Sequence, residues 1–228
     1  MRQIILDTET TGLDPAYGHR IIEVGCVEMV NRRFTGNNFH HYLNPERDSD
    51  EAALEVHGLT REFLSDKAKF ADIGQELVGF VADAEIIIHN APFDLAFLDA
   101  ELARLKLPKF RQHVAGVTDT LVMAKEAHPG KRNNLNALCE RYGISNAHRT
   151  LHGALLDSTL LAEVYLAMTR GQDGLMMDAD AGAVQPDAVD EPQTPLATFV
   201  VRASADDEAA HAGVLGVIAK EMRGAAVG

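Results

Sequence analysis

Residues 3–12 read QIILDTETTG and combine a short apolar run with the first acidic side chains of the chain. The run 3–6 is typical of a buried strand, which we expect to end at Asp7. In an extended chain alternate side chains share a face, so Asp7 and Glu9 point the same way, roughly 6–7 Å apart. Two such carboxylates repel each other unless a cation lies between them, and Mg²⁺ prefers oxygen ligands. The stretch therefore indicates either a divalent-metal site or an ordinary solvated strand end.

The elements that follow predict an α/β fold with a mixed sheet flanked by helices. Strands are expected at 20–30 and 33–42, joined by a hairpin turn at Asn31 and Arg32, and further strands at 85–89 and 114–117. Apolar periodicity and end signals predict helices at 50–55, 73–82 and 92–105, after Asp119, at 135–142 and at 155–168, the last with Leu156, Leu160, Leu161, Val164, Tyr165 and Met168 on its buried side.

Composition is that of a globular protein, with 228 residues, 46% of them hydrophobic and 24% charged. The N-terminus reaches an aspartate after a very short apolar run, which is unlike a secretory signal, and no run of about 18 apolar residues could span a membrane. Cys26 and Cys139 both lie in apolar-periodic stretches, where buried reduced thiols are expected. These features predict a cytoplasmic protein.

The net charge of −13 argues against tight, metal-free binding of nucleic acid, which normally requires a basic face. Residues 178–228 hold nine acidic and three basic side chains and so contribute −6 of that charge. Several of the remaining acids are candidate metal ligands, and bound divalent cations reverse the sign of such a site. A metal-dependent nuclease therefore stays compatible with the composition.

The chain is expected to divide into a main domain, residues 1–171, and a C-terminal appendage. Residues 178–195, DADAGAVQPDAVDEPQTP, have the composition of a flexible linker. Residues 196–201 predict a short strand, and Ser204 could cap a helix with an apolar stripe. A strand and one helix cannot bury their own apolar surface, so this segment either folds back on its domain or docks on a partner.

Two further signals could carry chemistry, and each has a rival. Asp94 is expected at the start of a helix, where an acid also favours the helix dipole without any other function. Asp119 has the same position in another helix, and spacing alone does not separate the two. His152 precedes Gly153 and Asp157 at a loop-to-helix junction, where a neutral imidazole could remove a proton from water. His148 is the competing histidine.

In chain order these residues form a series: Asp-x-Glu on the first strand, an Asp that begins a middle helix, then His-x-x-x-x-Asp. The series resembles the DEDDh exonuclease superfamily, whose name lists those five residues. Residues 5–12 (ILDTETTG), 89–94 (HNAPFD) and 152–157 (HGALLD) each look like a motif of that superfamily. The resemblance implies a ribonuclease H-like mixed sheet and 3′→5′ exonuclease activity.

The resemblance also selects among the alternatives. It favours Asp94 over Asp119, which then becomes an ordinary helix cap, and His152 over His148. By this likeness the catalytic residues are Asp7, Glu9, Asp94, His152 and Asp157. The four acids would hold two Mg²⁺ ions, with Mn²⁺ as a substitute, and His152 would deprotonate the attacking water. Weaker grounds make Thr10, Leu13, His57, His89, Asn90 and Phe93 candidates for holding the 3′-terminal nucleotide.

Within the superfamily the chain looks most like the epsilon family, the proofreading subunits of bacterial DNA polymerase III. Residues 56–60 (VHGLT), 129–133 (PGKRN) and 149–157 (RTLHGALLD) carry this second likeness. It covers 3–177 strongly and 196–222 weakly. It implies a DNA 3′ end as substrate and a polymerase alpha subunit docked on 196–228. A small theta-like accessory subunit is a further implied partner.

Residues 172–177, QDGLMM, resemble the short peptides that bind the bacterial sliding clamp. The Gln172 amide would donate and accept hydrogen bonds, while Leu175 and Met177 would fill an apolar pocket. Adventitious apolar residues at a helix end are the alternative. For the whole chain, the rival functions are a stand-alone RNA or DNA trimming exonuclease of the same superfamily, a non-catalytic bridge between clamp and polymerase, and a two-metal phosphatase on another fold.

Overall fold

A computed structural model describes residues 1–147, 149 and 151–170. Five strands form one mixed sheet, in the order β3-β2-β1-β4-β5. β1, β2 and β3 pair antiparallel, whereas β4 runs parallel to β1 and β5 parallel to β4. The strands span β1 Arg2–Thr10, β2 Ile21–Val30, β3 Arg33–Tyr42, β4 Glu85–Ile88 and β5 Gly116–Asp119.

Helices cover both faces of the sheet. They span α1 Glu51–His57, α2 Arg61–Leu64, α3 Phe70–Val81, α4 Ala91–Arg104, α5 Thr120–Ala127, α6 Leu135–Tyr142 and α7 Ala154–Met168, with short 3₁₀ turns at Pro15–Tyr17 and Phe110–Gln112. The predicted α/β class is confirmed. Among the described residues, no helix is both long and apolar enough to cross a membrane.

β1 is buried on both faces, and this gives the molecule its two-sided core. Ile4 and Leu6 pack into the cluster formed with α3 and α4, whereas Ile5 packs against Leu161 and Tyr165 of α7. Because side chains alternate along a strand, Asp7 and Glu9 lie on the same face as Ile5, toward α7. The two cysteines are free and buried, as expected.

The hairpin prediction is confirmed in detail. β3 has the expected bounds, and Asn31 and Arg32 both have positive φ, which is the geometry of a tight turn between antiparallel strands. The predicted end of β1 at Asp7 is wrong, because the strand continues to Thr10. Asp7 pairs with Gly25 and Glu9 with Glu23, so the ladder with β2 continues through the polar residues.

Other predicted bounds require correction. β5 begins and ends two residues later than expected, and α2 had no distinctive sequence signal. Leu156 was expected on the buried side of α7 but is 36% exposed. In the first turns of that helix Asp157 and Ser158 are buried against the sheet, and the residue before them, about 100° away around the axis, faces outward. The predicted segments 172–177, 178–195 and 196–228, and His148, lie outside the described residues.

Gly25 sets the distance between α7 and the sheet. A Cβ at this position would lie 2.3 Å from the carbonyl carbon of Ala154 and 2.3 Å from the Leu155 nitrogen, both of them backbone atoms. The Ser158 hydroxyl also donates a hydrogen bond to the Gly25 carbonyl, at 2.9 Å. The N-terminus of α7 therefore rests directly on the β2 backbone, opposite Asp7.

We predict that Gly25→Ala lowers the free energy of unfolding by about 2–3 kcal/mol, because neither backbone can yield to the added methyl group. Gly79→Ala is the matched control: Gly79 lies in α3 with no atom near its Cβ position. It should gain about 0.5–1 kcal/mol from helix propensity. Chemical denaturation of both variants measures the difference, and equal stability for Gly25→Ala and the natural protein would contradict the close-approach argument.

Candidate active site

Acidic side chains from three elements converge where β1 ends. Asp7 and Glu9 come from the strand, Asp157 from the first turn of α7 and Asp94 from the first turn of α4. Ligand atoms of Glu9, His152 and Asp157 all lie within 4.8 Å of one another. Asp7 interacts electrostatically with the other three acids. The structure thus brings together the five residues that the sequence picked out.

Asp94 enters the group from the opposite face of the sheet. Asp94 is 3% exposed, and its carboxylate accepts a hydrogen bond from the Thr8 hydroxyl at 2.8 Å. Thr8 lies between Asp7 and Glu9 and, by strand alternation, faces α4 rather than α7. The threonine therefore links the α4 carboxylate to the strand that carries two of the others. Sequence reasoning assigned no role to Thr8, although the alternation itself could have indicated one.

Asp119, the alternative to Asp94, accepts hydrogen bonds from backbone N–H groups. It is the N-cap of α5 and accepts a hydrogen bond from the Leu121 N–H at 2.8 Å. It also accepts from the N–H groups of Asn90 and Ala91, both at 3.1 Å. These contacts tie the start of α5 to the start of α4. Local sequence gave the two aspartates the same signal, and the family resemblance chose Asp94; the tertiary contacts now show that Asp119 accepts backbone hydrogen bonds.

Burial makes Asp7, Glu9 and Asp94 harder to ionise. It raises the pKa of Asp7 well above the ordinary value, and repulsion from Asp94, Glu9 and Asp157 adds to the effect. Burial, followed by repulsion from Asp157, raises the pKa of Glu9 to about 8. Burial also raises the pKa of Asp94 to about 7, against the lowering effect of its hydrogen bonds with Thr8. A bound divalent cation would let these groups ionise together.

Arg149 supplies positive charge inside this group. Its Nε and Nη2 donate to the two carboxylate oxygens of Asp157, the second at 2.7 Å. Its charge partly opposes the rise that burial causes in the pKa values of Asp7 and Glu9. The residue stands in the motif 149–157 that the sequence singled out, but its chemistry was not recognised there. A cation three residues before the histidine was the signal available.

His152 lies at the outer edge of the cluster, with its side chain 44% exposed. Its Nδ1 accepts a hydrogen bond from Arg149 Nη2 at 2.9 Å and is 3.6 Å from Asp157 Oδ2. Its backbone N–H is held by the Val56 carbonyl at 3.1 Å. Partial burial and the neighbouring Arg149 charge lower the pKa of His152, so its imidazole is neutral near pH 7.

A cavity of about 350 Å³ opens beside Glu9. His57 is buried in its wall; its Nδ1 accepts from the Leu59 N–H at 2.9 Å, and its Nε2 has no hydrogen-bond partner among the described residues. Four of the six predicted nucleotide contacts are in the lining, together with α1 residues that sequence reasoning missed. The lining is Thr8, Glu9, Thr10, Gly12, Leu13, Asp50, Ala52, Ala53, Val56, His57 and Phe93.

The structure places His89 and Asn90 outside that lining. The His89 Nδ1 is 2.9 Å from the Thr120 hydroxyl, with which it shares a hydrogen bond. Asn90 has a left-handed backbone at the N-cap of α4 and donates its N–H to Asp119. β4 ends at Ile88, so both residues belong to the turn that joins this strand to α4.

Comparison with known proteins identifies the class. The family model described as "Exonuclease" matches residues 4–165. Three solved structures with DNA or nucleotide share the fold: Exonuclease X with 5′ overhanging duplex DNA, zinc-bound E. coli ExoI with single-stranded DNA, and the nuclease domain of 3′hExo, a DEDDh family member, with rAMP. Their TM-scores are 0.59, 0.66 and 0.58 and their identities 23%, 19% and 19%. In the same order, the aligned regions cover 75%, 79% and 76% of this chain and 93%, 43% and 92% of the chain in the solved structure. The chain belongs to this exonuclease family.

Sequence relatives narrow the class further. The DNA polymerase III subunit epsilon of Pasteurella multocida is 47% identical over 98% of this chain and 91% of its own length. The subunit of the same name from Escherichia coli K12 is 48% identical over 96% of this chain and 94% of its own length. The chain is a homologue of that subunit and a 3′→5′ exonuclease, which confirms the fold and family expected from the sequence.

Exonucleases of this family use divalent metal ions. The donor set here fits such ions, since carboxylate oxygens dominate it and burial makes a compensating cation favourable.

We predict that Glu9→Gln stabilises the protein at alkaline pH when divalent metals are removed by EDTA. Because the folded-state pKa of Glu9 is raised from 4.5 to about 8, the stability that its proton contributes is complete below about pH 4.5 and is lost as pH rises through about 8. At about pH 9 the variant should exceed the natural protein by on the order of 1–3 kcal/mol.

Urea denaturation at about pH 6 and about pH 9 provides the measurement for Glu9→Gln. Glu163→Gln, which changes an exposed acid of α7 and keeps Glu9, is the control and should lose stability in parallel with the natural protein. If the natural protein and Glu9→Gln lose stability in parallel, the raised pKa of Glu9 is wrong.

Proposed function

We propose that this chain proofreads for a bacterial replicative polymerase by hydrolysing the 3′-terminal phosphodiester of DNA and releasing nucleoside 5′-monophosphates. The observation that carries the proposal is the convergence of four carboxylates and His152 at the end of β1, next to a cavity of about 350 Å³. Homology to DNA polymerase III epsilon subunits supports the proofreading role.

In this proposal Asp7, Glu9, Asp94 and Asp157 would hold two Mg²⁺ ions, for which Mn²⁺ could substitute. Asp7 interacts electrostatically with each of the other three acids and would supply ligand oxygens to the ions. The ions, when bound, make water more acidic and neutralise charge on the phosphate. Thr8 keeps the Asp94 carboxylate oriented toward the strand.

His152 is proposed to accept the proton of the attacking water. Its lowered pKa leaves the ring neutral near pH 7, as a general base must be, and its exposed edge admits water and substrate. The Val56 carbonyl fixes the backbone of His152 beside the cavity wall. The base and the proposed nucleotide pocket are therefore held in one arrangement.

The cavity has the properties of a pocket for the 3′-terminal nucleotide. Ala52, Ala53 and Val56 form an apolar wall, and Phe93 offers a ring against which a base can stack. Leu13 is 84% exposed at the rim, where it can contact a base. His57 Nε2 is a buried polar atom without a hydrogen-bond partner among the described residues, and a nucleotide oxygen or nitrogen could provide one.

The proposed partners are compatible with the net charge of −13, which disfavours tight intrinsic binding of DNA. Segment 196–228 would dock on the polymerase alpha subunit, 178–195 would serve as the tether, and Gln172, Leu175 and Met177 would bind the sliding clamp. Tethering raises the local concentration of the exonuclease at the primer end without tight intrinsic binding of DNA. A theta-like accessory subunit and a cytoplasmic location complete the proposal.

We predict that Asp7→Ala abolishes release of nucleoside monophosphates while the circular dichroism spectrum stays native, because an acid that interacts with the other three is lost without loss of core packing. His152→Ala should reduce kcat by about 10²–10⁴, the usual contribution of a general base. Glu163→Gln and His113→Ala are matched controls outside the cluster and should retain normal rates. Gel assays on paired and mispaired DNA primers, with and without Mg²⁺, measure these effects.

The same assays separate the rival functions. Faster degradation of RNA ends than of mispaired DNA ends would favour a stand-alone trimming exonuclease. Near-normal activity of purified Asp7→Ala in Mg²⁺ would overturn the proposed site. Complete inactivity of the natural protein in Mg²⁺ would favour a non-catalytic bridge between clamp and polymerase.

We predict that the two proposed docking segments act independently. The double variant Gln172→Ala, Met177→Ala should lose retention on immobilised clamp but still co-purify with the polymerase subunit, because only the short peptide is changed. Deletion of 178–228 should have the opposite result and should spare hydrolysis of a free oligonucleotide. Pull-downs with each partner provide the test, and unchanged clamp retention by the double variant would assign clamp binding to another site.

A further inference from the structure

The guanidinium of Arg149 contacts two proposed catalytic groups at once. Nε and Nη2 donate to both carboxylate oxygens of Asp157, and Nη2 also donates to His152 Nδ1 at 2.9 Å. Nη1 donates to the side-chain oxygen of Asn136 in α6 at 2.7 Å. The side chains of Arg149 and Asp157 are only 6% and 4% exposed, so water screens this ion pair little.

The ion pair competes directly with a metal for Asp157. A forked arginine contact uses both oxygens of the carboxylate, which are the atoms that would bind a divalent cation. A divalent ion on the same buried carboxylate would also stand close to the positive guanidinium, and repulsion at such distances is strong where water is excluded. Arg149 must therefore move away from Asp157 before that acid can become a full metal ligand.

The same contact constrains His152. An arginine side chain has only donors, so His152 Nδ1 must accept and a neutral ring must carry its proton on Nε2. In this arrangement neither ring nitrogen has a free lone pair with which to accept a proton from water. Release of Arg149 would free the Nδ1 lone pair at the same time as the Asp157 carboxylate.

We propose that Arg149 is a positioning residue that acts as an internal counter-cation, which pairs with Asp157 and His152 until a divalent metal ion displaces it. The inference rests on the proposed function, since it takes Asp157 as a metal ligand. Asn136 lies on the outer side of the guanidinium and can keep its hydrogen bond while the other contacts break. Arg149 also interacts favourably with Asp7 and Glu9, so it offsets charge across the whole acid cluster.

The test is calorimetric titration of the full-length protein with Mn²⁺ in the absence of DNA. Arg149→Ala should bind Mn²⁺ more tightly, by about tenfold, because the fraction of protein with a free Asp157 rises. Arg149→Lys keeps the charge but cannot form the fork, so its gain should be smaller. Arg141→Ala is the control: that guanidinium contacts Asn133 and the Arg132 carbonyl, and its loss should leave Mn²⁺ affinity unchanged. Equal or weaker binding by Arg149→Ala would overturn the inference.

A second measurement uses the natural protein and does not depend on the folding of a variant. The ¹⁵Nε–H resonance of Arg149 should change as Mg²⁺ is added, because its partner Asp157 is taken by the metal; an unchanged resonance at saturating Mg²⁺ would contradict displacement. A natural protein that binds no Mn²⁺ at all would overturn the proposed metal site itself. Normal Mn²⁺ binding that is insensitive to Arg149 would overturn only the counter-cation role.

Discussion

Burial of carboxylates at the end of β1 is the constraint on which the site depends. Each of Asp7, Glu9 and Asp94 has a raised pKa, mainly because burial disfavours the charged form. Such a cluster costs stability wherever it ionises without compensation. The fold can bear that cost because β1 has an apolar core on each of its faces. A strand with only one buried face would leave the same acids in water, where their affinity for metal would be lower.

The mixed sheet explains how the acids reach one another. The parallel neighbour β4 leads into α4 on one face and so delivers Asp94. The antiparallel neighbour β2 presents Gly25, which lets the start of α7 rest on the sheet and deliver Asp157 from the other face. On β1, Thr8 faces α4 and holds Asp94 by a hydrogen bond, whereas its neighbour Asp7 faces α7 and interacts with Asp157. The site is therefore built across a strand rather than within one helix or loop.

Much of this could be predicted from the sequence, and what could not has identifiable physical causes. The Asn31-Arg32 turn and the bounds of β3 follow from local chemistry. The end of β1 did not, because pairing of Glu9 with Glu23 continues the strand through residues of low strand preference. Asp94 and Asp119 carry equal local signals, so only the family resemblance could choose between them, and the tertiary hydrogen bonds that distinguish their surroundings are invisible to local sequence. The α1 wall of the cavity depends on the packing of distant segments, which no local pattern encodes.

Arg149 shows why an acidic exonuclease site need not be unstable before it binds metal. Partial compensation by one buried guanidinium lowers the pKa values of Asp7 and Glu9, but burial still outweighs it. The pKa values of Asp7 and Glu9 therefore stay raised, and a bound divalent cation would still be favourable. The cluster also keeps enough internal compensation to hold Asp157 and His152 in place. A stronger internal cation would exclude the metal, and a weaker one would leave the start of α7 repelled by β1. The balance between burial of the acids and the displaceable charge of Arg149 therefore links the stability of the fold to the ability of the site to bind a metal ion.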